Sequence, residues 1–146
     1  LCHALESYVS SKSNTFTDSL ALTAMRTIYQ KIRTACAEPD NRSAREAMML
    51  AATQGGIAFA NPSVTLIHGM SRPIGALYHV PHGLSNAMLL PEVTAWSVDA
   101  AQSRYAHCAR YMGIAAESDA DALACEKLVA GLRDFTRELQ VPGPRA

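Results

Sequence analysis

Apolar residues recur at three- and four-residue intervals along this chain and nowhere alternate regularly with polar ones. That periodicity lays one apolar stripe along a helix, whereas a half-buried strand needs a period of two. It directs the chain to an all-α fold, a helical bundle whose members bury their stripes against one another. The 146 residues suit a single domain, and at 49% hydrophobic and 18% charged they can fill a core. Lys+Arg and Asp+Glu are both 13, so the formal net charge is zero. Nothing in that balance points to nucleic acid or an anionic membrane surface. No apolar run approaches the ~20 residues of a membrane span.

The helices can be placed one by one. Residues 1–10 are apolar at 1, 4, 5, 8 and 9, with His3 and Ser7 together on another face. Thr15 with Asp18 reads as a capping box for a second helix running to about residue 37. Residues 38–41 stop it, and Ser43 with Glu46 reads as the next capping box. The third helix reaches about residue 60 and is apolar on most sides, so it is expected to be central. Gly55 and Gly56 within it cost up to ~1 kcal/mol each against Ala. Close approach of a neighbouring helix or a ligand would justify them.

A turn at 61–63 precedes a fourth helix holding Val64, Ile67, His68 and Met70. Pro73 lacks an N–H and crowds the Gly69 carbonyl, so a kink or break is expected between 69 and 73. A turn at 78–83 leads to a fifth helix at 84–98 that Pro91 can bend, and a sixth follows at 100–112, ended by Gly113. The seventh spans 120–140, and 141–146 reads as a connector. His107, beside Arg104, Cys108 and Arg110, reads as a solvated surface histidine. Cys2, Cys36, Cys108 and Cys125 form no C-x-x-C pair. They read as free thiols in a reducing, cytoplasmic compartment.

Chemistry concentrates at 66–91, LIHGMSRPIGALYHVPHGLSNAMLLP, which contains three of the five histidines: His68, His79 and His82. Neutral imidazole is a common transition-metal ligand. His68 and His82 stand at the ends of adjacent apolar segments and can converge across a turn. His3 from the first helix would complete a set of three nitrogen donors, suited to Zn(II) or a divalent iron with an open position. Core histidines satisfied by backbone carbonyls are the alternative. There is no G-x-G-x-x-G or Walker loop, and no serine on a recognisable elbow.

At these residues the chain resembles the iron-containing, or group III, alcohol dehydrogenase family. HGMSRPIGA at 68–76 and YHVPHGLSNAMLLP at 78–91 resemble the family's long histidine signature, and LCHALESYVS at 1–10 its upstream motif. AREAMM at 44–49 and GIAFAN at 56–61 match in order between them. The resemblance runs to about residue 113, and more loosely to 146.

The family implies an N-terminal α/β domain that binds NAD(P) and a C-terminal helical domain that holds the metal, with the active site between them. Residues 1–146 would be a single all-α metal-binding domain, a fragment lacking the first domain and the end of the second. By motif, His3, His68 and His82 are its metal-binding histidines, for Fe2+ or Zn2+. The family's fourth ligand is an Asp four residues before the first of them, which here falls ahead of Leu1. The metal is therefore expected to bind this chain weakly or to be missing.

Many members carry His where this chain has Arg72, and Asn where it has His79. Arg72 cannot relay a proton near pH 7 but can bind a carboxylate on a substrate. A salt bridge is its alternative role. His79 could supply the titrating group. The implied substrate is a small alcohol, aldehyde or ketone, the implied activity is NAD(P)-dependent hydride transfer, and a homo-oligomer is compatible with both. A stand-alone helical module, binding a partner or metal without redox chemistry, is the competing expectation.

Overall fold

The computed structural model describes residues 1–143. Among them the regular structure is helical throughout: α1 (Cys2–Val9), α2 (Thr15–Ala37), α3 (Arg42–Ala60), α4 (Leu66–Tyr78), α5 (His82–Ser97), a 3-10 turn (Val98–Ala101), α6 (Gln102–Met112) and α7 (Asp121–Glu138). The all-α expectation holds. The connector expected at 141–146 lies partly outside the described residues. No helix among them is long and apolar enough to cross a membrane.

α2 packs along α3, α6 on α7, and α4 on α5. The short α1 is the hub, touching α2, α3, α4, α5 and α6. Its apolar residues Ala4, Leu5 and Tyr8 join the core with Met25, Leu90, Leu128 and Leu132. Burying a side chain such as Leu5 stabilises by roughly 1.5–3 kcal/mol. Glu6 and Ser7 are buried as well, at 1% and 0% exposure, so α1 is enclosed on polar as well as apolar faces.

The caps differ from expectation by a residue or two. Asn14, not Thr15, opens α2: its side chain accepts from the amides of Phe16 and Thr17, and Thr17 Oγ1 accepts from the Asn14 amide. Asn14 has the extended backbone an N-cap requires. Asp18 is thereby released to pair with Arg104 on α6, at 2.7 Å. Likewise Asn41, not Ser43, caps α3 through the Ala44 amide, and Glu46 pairs with Arg42 one turn back. α4 passes Pro73 as one continuous helix, so no break falls between 69 and 73. A Cβ on Gly55 would meet Ala4 Cβ only at 4.0 Å, and one on Gly56 would meet nothing within 4 Å. Close approach among the described residues therefore does not account for the glycine pair.

His107 is exposed but not merely solvated: its Nδ1 lies 2.5 Å from the Tyr8 hydroxyl, and the Arg104 guanidinium covers the Tyr8 ring at 3.9 Å. All four cysteines are free. Burial pushes the Cys2 thiol up to about 11 and raises those of Cys108 and Cys125. Cys36 is exposed. Iodoacetamide at neutral pH should therefore modify Cys36 well before the other three, which should react fully only on unfolding. Peptide mapping by mass spectrometry measures the order.

Candidate metal centre

Three helices bring three histidines to one place. His3 stands in the first turn of α1, His68 in the first turn of α4, and His82 opens α5. One candidate ligand atom from each lies within 4.8 Å of the other two. His3 stacks on His68 at 4.4 Å between ring centroids and on Phe59 at 4.3 Å. His68 and His82 rings are 5.1 Å apart. His68 is 1% exposed, His3 is half-buried and His82 is exposed, so the cluster runs from the core to the surface.

The convergence follows from local chain geometry. α4 ends at His79, which adopts the left-handed conformation with φ 55° and turns the chain. His79, Val80 and Pro81 then link directly into α5, so α4 and α5 pack as a hairpin. The first turns of α1 and α4 are held together by Glu6. Its Oε1 accepts from the Thr65 amide at 3.0 Å, the Thr65 hydroxyl at 2.8 Å, the Ile67 amide at 2.8 Å and the His68 amide at 3.3 Å. Thr65 makes no side-chain cap for α4. A carboxylate from another helix satisfies the orphan amides instead, where the helix dipole favours negative charge. Glu6 Oε2 pairs with His68 Nδ1.

The other edge of His68 faces Asn86. Asn86 Nδ2 lies 3.1 Å from His68 Nε2 and 3.1 Å from His82 Nε2. Ser71 Oγ donates to Asn86 Oδ1 at 2.6 Å, which turns the amide nitrogen toward the two imidazoles. An amide nitrogen is a donor only, so both Nε2 atoms accept from Asn86 Nδ2. Burial, followed by the nearby His68, lowers the His3 pKa to about 4, which keeps that imidazole neutral at pH 7. Neutral imidazoles are the donors a divalent transition metal needs.

His79 and Arg72 stand outside this cluster. Both are exposed. Arg72 follows His68 by one helical turn, on the same face of α4. It makes no ion pair among the described residues, so the salt-bridge alternative finds no support there. Sequence reading assigned no role to Glu6, Asn86 or Ser71. Asn86 follows His82 by four residues, a spacing that places it on the same helical face. Glu6 gave a weaker signal, the one acid in α1.

The C-terminal model of the Fe-containing alcohol dehydrogenase family matches residues 1–144. A 1,3-propanediol dehydrogenase from Klebsiella pneumoniae is 35% identical over 142 residues, 97% of this chain and 37% of that protein. An NAD-dependent methanol dehydrogenase from Bacillus methanolicus is 32% identical, with the same coverage of each chain. The solved structure of a 1,3-propanediol oxidoreductase superposes with a TM-score of 0.93 at 35% identity, over 97% of this chain and 37% of that one. This chain thus spans little more than a third of the length of such relatives.

Proposed function

Because this chain belongs to the Fe-containing alcohol dehydrogenase family and corresponds to its C-terminal domain, we propose that it is the metal-holding half of an NAD(P)-dependent alcohol dehydrogenase. The observation that carries the reading is the meeting of His3, His68 and His82, whose candidate ligand atoms all lie within 4.8 Å of one another. These three side chains would hold Fe2+ or Zn2+. When bound, such an ion supplies Lewis acidity toward the oxygen of an alcohol, aldehyde or ketone. His3 and His82, at the open side, orient the site toward incoming substrate. His68, buried beneath them, is shielded from water. Arg72, permanently charged and exposed on the His68 face, would bind an anionic group on substrate or cofactor. His79 would supply a titrating group at the mouth of the site. The nicotinamide would come from an N-terminal domain, since the described residues offer no dinucleotide fold. Four free cysteines suit a reducing, cytoplasmic setting.

By itself the 146-residue chain is expected to show neither tight NAD(P) binding nor NAD-dependent turnover. Grafting residues 1–144 in place of the matching segment of the K. pneumoniae 1,3-propanediol dehydrogenase tests the proposal. NAD-dependent oxidation of 1,3-propanediol should survive in the chimera and vanish with His82→Ala. A folded, metal-loaded chimera without activity would overturn the reading.

A further inference from the structure

We propose that Glu6 is the positioning residue of this centre: its buried carboxylate holds His68 as the Nδ1–H tautomer, which leaves Nε2 free of a proton on the edge it shares with Asn86 and His82. The inference rests on the metal reading above and adds a residue to it. Two independent contacts of the same imidazole carry it. Oε2 pairs with His68 Nδ1, and a carboxylate can only accept there, so Nδ1 carries the proton. Asn86 Nδ2, a donor, faces Nε2 at 3.1 Å, so Nε2 does not carry one. The two contacts give one consistent hydrogen-bond arrangement for His68: Nδ1–H toward Glu6, and Nε2 as the acceptor facing Asn86.

Oε1 does separate work. It accepts from Thr65 and from the first amides of α4, which locks the backbone carrying His68 to the helix carrying His3. Glu6 lies three residues after His3 on α1, so one helical turn links the carboxylate that holds His68 to His3. The carboxylate also places a negative charge one imidazole away from where a cation would be held. That arrangement raises the basicity of a ligating histidine and fixes its ring, and its loss typically costs about 10–100-fold in metal affinity. Glu6 is 1% exposed, and its buried carboxylate is satisfied by hydrogen bonds from Thr65, the first amides of α4 and the His68 ring.

Glu6→Gln separates positioning from folding. A glutamine oxygen can still accept from the α4 amides, so the helices stay joined. Its amide nitrogen would donate to His68 Nδ1 and drive the imidazole to the Nε2–H form. Two measurements follow on the 146-residue chain. Long-range proton–nitrogen NMR of the metal-free chain should show His68 with Nδ1 protonated in the parent and Nε2 protonated in Glu6→Gln. Zinc titration should show affinity lowered about 10–100-fold by Glu6→Gln, with a thermal midpoint close to the parent's. Glu6→Asp, a shorter carboxylate, should recover part of that affinity. An unchanged His68 tautomer in Glu6→Gln, or unchanged zinc affinity, would overturn the proposal. Zinc held by the parent at residues other than His3, His68 and His82 would overturn the metal reading instead. The tautomer measurement on the metal-free chain would still decide whether Glu6 sets the state of His68.

Discussion

His82→Ala is expected to remove zinc or ferrous-iron binding by the cluster while leaving stability within about 0.5 kcal/mol of the parent. His82 is exposed at the start of α5, and its Asn86 partner retains Ser71 and His68. His68→Ala should remove binding as well, but at a structural cost of about 3 kcal/mol. It empties a site 1% exposed and leaves the Glu6 carboxylate buried without its imidazole. Isothermal titration and urea unfolding of the two variants measure both effects. If these histidines were only core residues, the two substitutions would differ in stability but neither would alter metal affinity.

Leu5→Ala should produce a similarly large loss, about 2–5 kcal/mol, because a fully buried leucine leaves both lost transfer energy and a cavity. Leu5 is 1% exposed and lies on α1 between His3 and Glu6. The hub helix would loosen at the point where it holds both residues, so metal affinity should fall along with stability. Trp96→Ala is the contrast. Trp96 is 77% exposed, and its removal should stay within about 0.5 kcal/mol. Chemical denaturation with an unchanged slope would assign both results to the native state. A Leu5→Ala protein as stable as its parent would mean that α1 is not the hub its burial indicates.

What could be read from sequence depended on the range of the interaction. Helix existence was legible because a stripe such as Leu128, Leu132 and Phe135 repeats within a few residues. Cap positions were off because Asn, Ser and Thr crowd together at 13–17 and 41–43, and backbone conformation decides which of them closes the cap. The three histidines were singled out before the fold was seen, and the structure brings them together. Their spacing alone favoured core histidines over metal ligands, and the ligand set came from a family resemblance. Glu6 escaped notice because its partners lie 59–62 residues away, and no local pattern encodes that pairing. Pro73 was over-weighted: a proline removes one helical hydrogen bond, but the packing of α4 on α5 carries the helix through.

The central claim is that one divalent ion is held by His3, His68 and His82. Proton–nitrogen NMR of all five imidazoles during anaerobic zinc or ferrous titration tests it most directly. The chain carries its own controls, because His79 and His107 lie outside the cluster. Rising metal concentration should shift the ring nitrogens of His3, His68 and His82 together along one binding curve, with His79 and His107 unmoved. Shifts confined to His79 or His107, or a titration in which the three clustered rings respond separately, would contradict the account.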